Sequence, residues 1–248
     1  MTHRRPTLPA SDASVYGAAS SPRADDAELL SLVDASGHPL PCSAPRAMVH
    51  RAGLWHRSFH CWLVRLGPQG PVLLLQRRAW AKATWPGAWD VSAAGHYLAG
   101  EGLAGGCREI AEELGIRVEA SALTWLGRHR EVVRYASGLR DREYQDVYVL
   151  YDDRPLGAYA PDPEEVIGLA LVEAGALAAL AAGTMRRVWV PARLWDGQGW
   201  QERRWPIPRH ALVTRVGSYY RWVARGAARL LRPRALPSRW ERRASARC

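Results

Sequence analysis

Two linked segments decide the reading of this chain: Gly95-His96-Tyr97-Leu98-Ala99-Gly100-Glu101 and, after the six residues 102–107, Arg108-Glu109-Ile110-Ala111-Glu112-Glu113-Leu114-Gly115-Ile116. The apolar spacing of the second segment predicts a helix from about residue 103 to 114. Gly115 then supplies the residue type that favours the left-handed position just past a helix end. On such a helix Glu109, Glu112 and Glu113 stand at i, i+3 and i+4 and share one face. Three carboxylates there repel one another unless a cation intervenes. A hard divalent cation takes oxygen ligands and bridges to phosphates, so Glu109, Glu112 and Glu113 are candidate metal ligands. A solvated acidic face is the other reading of an isolated Glu-x-x-Glu-Glu.

Working outward, residues 58–66 form an apolar and aromatic run that reads as a buried strand. Gly67-Pro68-Gln69-Gly70 is a turn and residues 72–76 a second strand, so the two pair as a hairpin. Upstream, residues 27–33 read as a strand followed by a turn that leads to Arg46, His50 and Gly53. Residues 79–87 form a loop carrying Lys82, and residues 89–94 a short strand. After the acidic helix, strands are expected at about 122–126, 131–135 and 144–151, and a helix at 173–182. Hairpins with few helices predict an α+β fold, with a mixed sheet sandwiched between helices.

Past Thr184 the character changes. Residues 188–194 and 200–205 flank Asp196-Gly197-Gln198-Gly199 as a hairpin would. Residues 210–231 place Val213, Val216, Tyr220, Val223, Ala227 and Leu230 on one helical face, with Arg221, Arg225, Arg229 and Arg232 elsewhere. The expected organisation is a disordered tail at 1–27, a central domain at 28–184 and a basic C-terminal extension at 185–248. Arg186 to Cys248 carries 16 arginines against Asp196, Glu202 and Glu241, so the whole net charge of +10 resides there. That extension is compatible with nucleic acid or an anionic surface as partner, and equally with a helix packed on the core.

The 48% hydrophobic and 23% charged composition is that of a globular protein. Cys42, Cys61, Cys107 and Cys248 lack the spacing of a disulfide framework or a zinc site. The longest apolar run, residues 174–182, is less than half of the roughly 20 residues that cross a bilayer. These features point to a soluble protein of a reducing compartment, with cytoplasmic localisation expected and a homodimer compatible.

The paired segments resemble the Nudix box, in which a glycine, five residues, a glutamate and seven residues precede Arg-Glu-aliphatic-x-Glu-Glu-x-Gly-aliphatic. Here Glu101 and Arg108 are separated by six residues, one fewer than the family pattern. Arg46, His50, Gly53, Trp55-His56-Arg57 and the loop from Lys82 to Gly87 further resemble the Nudix branch related to isopentenyl-diphosphate isomerase. The resemblance implies a pyrophosphohydrolase dependent on Mg²⁺ or Mn²⁺ and acting on a small-molecule diphosphate. Glu109, Glu112 and Glu113 would bind metal, Glu112, Glu113 and Glu143 would serve catalysis, and Arg108 would fix a carboxylate. Asp146 and Glu165 are the alternatives to Glu143, and Glu101 would orient the loop. Arg78 and Lys82 take the places of the isomerase's diphosphate-binding Arg-Ala-x-x-Lys. His56 and His96 match histidines of the isomerase's metal site. Ser92-Ala93-Ala94-Gly95-His96 lacks the isomerase's catalytic cysteine, which leaves an isomerase or a catalytically weak binding module as the alternatives to a hydrolase.

Overall fold

The computed structural model describes residues 28–135 and 138–231. The tail expected at 1–27 and the arginines beyond Leu231 lie outside the described residues. The elements in chain order are β1 (Leu29–Val33), β2 (Pro39–Pro45), α1 (Arg46–Ala52), β3 (Trp55–Gly67), β4 (Gly70–Arg78), β5 (Trp89–Asp90), β6 (Ala93–His96) and α2 (Leu103–Leu114). They continue as β7 (Thr124–Arg134), β8 (Arg140–Tyr151), β9 (Val166–Glu173), α3 (Ala174–Ala182), β10 (Arg187–Trp195), β11 (Trp200–Pro208) and α4 (Tyr219–Leu230).

The strands join into one mixed sheet in the order β11-β10-β9-β4-β3-β1-β2, with β8 pairing β3 and β7 pairing β8. Alternation along β3 shows how the sheet is covered. Phe59, Cys61 and Leu63 pack with Ile110 and Leu114 of α2, whereas Trp62 and Val64 pack on the other face with Leu177 and Leu180 of α3 and Val223 and Ala227 of α4. Side chains in a strand point alternately to opposite faces. A strand buried on both sides must therefore be apolar at nearly every position, as residues 59–64 are. The result is the helix, sheet, helix sandwich expected of this α+β pattern.

α2 begins and ends at the predicted residues, and Gly115 has φ 67°, the left-handed value that closes the helix. The β3–β4 turn is also as read. Elsewhere the chain is more regular than its sequence pattern. The two strands expected at 122–126 and 131–135 are one strand, β7, with a register shift between Trp125 and Gly127. β2 and α1 lie where only a connection was expected. β9 was not anticipated: Val-Ile-Gly-Leu-Ala-Leu-Val is apolar without alternation, because it lies between β4 and β10 with both faces covered.

The division at residue 184 falls in the turn between α3 and β10, and the sheet runs through it. β9 pairs with β10 in antiparallel register, and Val190, Ala192, Leu194, Tyr220 and Val223 belong to the same apolar cluster as Trp62. α4 starts nine residues later than the 210–231 pattern predicts. The preceding segment is tied elsewhere, with the Val213 N–H donating to the Trp89 carbonyl at 2.9 Å and Arg215 drawn inward. Arg221, Arg225 and Arg229 face solvent. Among the described residues no helix is long and apolar enough to cross a membrane.

Burying a side chain of the size of Val223 or Tyr220 stabilises by roughly 1.5–3 kcal/mol, against a total of about 5–15 kcal/mol for a domain. A chain ending at Thr184 is therefore expected to be insoluble or strongly destabilised in thermal melts. Cooperative melting of that truncation at the full-length temperature would show that β10, β11 and α4 are dispensable to the core.

Candidate active site

β3 and β8 are parallel neighbours in an unbroken register that sets His56 beside Glu143 and Ser58 beside Gln145. β6 flanks β3 on its other edge, with His96 opposite Ser58. Laterally paired residues project to the same side of a sheet, so His56, His96 and Glu143 converge. His50 reaches them from α1, and Asp141, two residues before Glu143, stands on the same face of β8. The three imidazole centroids lie 5.1–5.3 Å apart. Glu143 Oε1 is 3.4 Å from His96 Nε2 and 3.7 Å from His56 Nε2, and Asp141 Oδ1 is 3.5 Å from His56 Nε2.

This cluster fits a divalent cation. The donor atoms of His50, His56 and His96, and those of His56, Asp141 and Glu143, form two groups each spanning no more than 4.8 Å. Among the described residues, the buried Nε2 atoms of all three histidines and Asp141 Oδ1 have no hydrogen-bond partner, which is costly unless something takes their lone pairs. His56 Nδ1 donates to the Leu54 carbonyl at 3.1 Å, leaving its Nε2 as the lone-pair nitrogen. Without a cation the groups perturb one another. Burial holds the His50 pKa down to about 3 and that of His96 to about 4. Burial, then the charge of Glu143, pushes Asp141 up to about 7. Burial opposes ionisation of Glu143, but the His56 and His96 imidazoles that face it hold it well below the usual carboxylate range.

The acidic helix approaches the same strand from the other side. Glu113 is buried, and its Oε2 accepts from the Ala94 N–H at 2.8 Å and from Gln76 Nε2 at 2.9 Å. Glu109 packs against Gly95, where a Cβ would stand 1.9 Å from its carboxyl carbon, so only glycine lets the carboxylate come this close. β6 thus carries Glu113 at Ala94, Glu109 at Gly95 and the histidine centre at His96. Glu112 is half exposed and points away, paired with Arg108 at 2.7 Å. The three glutamates of the helix share a face but are not drawn to one point. Arg108 also reaches Glu109 at 2.9 Å and Glu101 at 3.2 Å. Glu101 Oε2 accepts from the Leu98 N–H, so the loop absorbs the missing residue and keeps the Glu101 to Arg108 contact.

Arg78 and Lys82 lie near this site with partners of their own. Arg78 donates to the Thr84 carbonyl at 3.1 Å and faces Asp90 at 3.6 Å, and Lys82 pairs with Glu165. Asp146 is on the α2 side of the sheet, paired with Arg57 and Arg128, away from the histidines. His50 and Asp141 are the members of the centre not singled out as ligands from sequence. The available signals were the spacing of His50 and His56 and the alternation of Asp141 with Glu143.

The NUDIX domain family matches residues 55–191, more than half of the chain. An uncharacterized Nudix hydrolase of Clostridium acetobutylicum is 36% identical over 133 residues, which is 54% of this chain and 64% of the relative. Nudix hydrolase 3 of Arabidopsis thaliana is 38% identical over 135 residues, 53% of this chain and 17% of that much longer protein. The isopentenyl-diphosphate Delta-isomerase of Agromyces mediolanus is 36% identical over 174 residues, 69% of this chain and 77% of the isomerase. The chain therefore spans less than two thirds of the two hydrolase-named relatives and more than two thirds of the isomerase. It belongs to the Nudix family.

Burial pushes Glu113 up to about 8 and Glu109 up to about 7. In the presence of a chelator the folded chain therefore holds protons on these carboxyls between pH 8 and 7, where the unfolded chain holds none. The binding of more protons by the folded state means that stability rises as pH falls through this window. Below the histidine value of 6.5 the slope flattens, because the unfolded chain protonates His50 and His96, which the fold holds neutral, while the folded chain keeps the extra protons on its carboxyls. Melting temperatures with chelator should thus rise as pH falls from 8.5 to 7 and level off below 6.5. Adding Mn²⁺ should flatten the slope above pH 7, and a metal-free melting temperature that climbs steadily from pH 7 to 8.5 would refute the assignment.

Proposed function

We propose that this chain hydrolyses the diphosphate linkage of an organic pyrophosphate, of the nucleoside-diphosphate class or similar, with Mg²⁺ or Mn²⁺. The observation that carries the reading is the convergence on β6 of the buried Glu113 and the partly buried Glu109 of the acidic helix with the histidine–carboxylate centre. His50, His56, His96, Asp141 and Glu143 would hold a cation, and Glu109, Glu112 and Glu113 are the candidates for cations associated with substrate phosphates. A bound cation would polarise a phosphoryl oxygen and acidify a water. Arg108 would hold Glu109 and Glu112 in place, as supporting groups do around metal ligands. Glu113, with its raised pKa, is suited to accept the proton of the attacking water. Arg78 and Lys82 would exchange Asp90 and Glu165 for phosphate oxygens, giving the diphosphate two cationic partners.

A second reading, diphosphate isomerisation, is favoured by the histidine centre together with the isomerase-named relatives. It lacks a thiol at the place required. Position 94, before Gly95-His96, is alanine. Cys61 is buried on the α2 side of the sheet, and burial pushes its pKa above the ordinary thiol range. Isomerisation needs an acid and a base on the two faces of an alkene, and one of them is missing.

A phosphate-release assay over nucleoside diphosphate and dinucleoside polyphosphate substrates, with Mg²⁺ and Mn²⁺ in parallel, tests the hydrolase. Turnover is expected with at least one substrate and is expected to fall at least tenfold in Glu112→Gln and in Glu109→Gln without loss of the fold. Full metal-dependent activity in both variants would rule out the helix carboxylates. For the second reading, isopentenyl diphosphate incubated with the protein in heavy water should show no enzymatic exchange at its allylic positions. Sustained protein-dependent exchange would put the isomerase first.

A further inference from the structure

Arg215, by sequence one of many arginines after Thr184, is withdrawn from solvent, with 8% of its side chain exposed. One of its nitrogens, Nη2, donates to Asp90 Oδ1, and Nη1 donates to Glu131 Oε2 at 2.8 Å. The next residue fixes the other oxygen of that carboxylate, with the Val216 N–H donating to Glu131 Oε1 at 3.0 Å. Glu131 Oε2 also accepts from Gln145 Nε2 at 2.7 Å, and the same amide nitrogen donates to Glu143 Oε2 at 2.7 Å. Glu143 then presents its remaining oxygen, Oε1, to His96 and His56. An unbroken polar path runs from the C-terminal segment into the histidine–carboxylate centre.

We propose that Arg215 is a positioning residue for that centre: by fixing Glu131 it aligns Gln145, whose amide turns Glu143 so that one oxygen faces the imidazoles. The proposal rests on the reading that the centre binds a divalent cation. Each link has a reason to be directional. Glu131 meets only donors, from Arg215, Val216 and Gln145. Gln145 faces carboxylates with its nitrogen on both sides, while its Oε1 has no partner among the described residues, so a flipped amide would set oxygen against oxygen. With two carboxylates on one buried amide, the guanidinium is the group that offsets the charge at the Glu131 end. The segment after Thr184 thereby contributes to the affinity of a site it does not line. Residues that orient metal ligands in this manner typically affect affinity by about 10- to 100-fold.

The experiment titrates Mn²⁺ into the full-length protein by calorimetry, with melting temperature measured alongside. The wild type should bind Mn²⁺ in a manner lost in His96→Ala. Arg215→Met, Gln145→Leu and the isosteric Glu131→Gln should each weaken binding by about tenfold. In Glu131→Gln an amide NH₂ faces a donor at one end or the other of the path, so this variant carries the test should Arg215→Met fail to fold. The double variant Arg215→Met/Gln145→Leu should bind no more weakly than either single variant, because both interrupt one path. Val223→Ala, a destabilising change on α4 away from the path, should melt lower and bind Mn²⁺ as the wild type does. Unchanged affinity in Arg215→Met and Glu131→Gln, or losses that multiply in the double variant, would overturn the positioning role. If the wild type itself fails to bind, or binds equally in His96→Ala, the assignment of the centre fails first and the positioning role with it.

Discussion

The parallel pairing of β3 with β8 is the constraint on which the rest of this structure depends. A parallel pair cannot be closed by a hairpin and needs a long connection, and here β4, β5, β6, α2 and β7 all lie between the two strands. The connection therefore carries the acidic helix and the strand that holds His96, and it returns to place Glu143 beside His56. A slip of one residue in the register would turn Glu143 and Gln145 to the α2 face and Asp146 to the face of the histidines. Asp146 is instead neutralised by Arg57 and Arg128 on the far side. The alternation of the strand thus separates carboxylates that hold the fold together from those available for chemistry.

The polar end of the sheet is a place where local energetics run against stability. Three imidazoles have buried nitrogens that lack partners among the described residues, and three carboxylates, the buried Glu113 and the partly buried Glu109 and Asp141, have their pKa values raised by desolvation. Buried groups of this kind are costly unless paired, and the surrounding fold leaves these ones incompletely satisfied. By contrast the nearby pair Asp90 and Glu131 is balanced by Arg215, with Arg78 a second cation near Asp90. The fold balances its buried charges at one position and leaves polar groups open a strand away. That difference sets the open cluster apart as the candidate site.

How much of this the sequence discloses depends on how far apart the interacting residues lie. α2 was legible to the residue, because its apolar spacing and the terminal Gly115 are local signals. The β3–β4 hairpin and the β10–β11 hairpin were legible for the same reason. β9 was not, since a continuous apolar run lacks the alternation that marks a half-exposed strand. The full histidine centre was not, because His56 and Glu143 meet only through pairing of strands that are 87 residues apart in sequence. His50 and Asp141 carry no local pattern that separates a ligand from a surface residue. The shared face of Glu109, Glu112 and Glu113 was correctly periodic, yet periodicity alone does not say that Glu109 and Glu113 turn inward to β6 while Glu112 stays with Arg108.

The C-terminal helix belongs where it is for a reason written along β3. On the α4 side that strand changes from polar at His56, Ser58 and His60 to apolar at Trp62 and Val64, so whatever covers it must satisfy both kinds of surface. Tyr219 sits at the change. Its ring lies in the apolar cluster with Trp62, and its hydroxyl accepts from Trp62 Nε1 at 3.0 Å while bonding His60 Nδ1 at 2.7 Å. Burial holds His60 down to about 3, so the imidazole is neutral at ordinary pH. Four residues earlier Arg215 meets the carboxylates of the polar end, and four residues later Val223 continues the apolar one. The segment reads as an arginine-rich helix when taken alone. Against β3 it is a graded cover whose polar start and apolar body follow the strand beneath, and for that reason its basic face is left to solvent while its one buried arginine points toward the site.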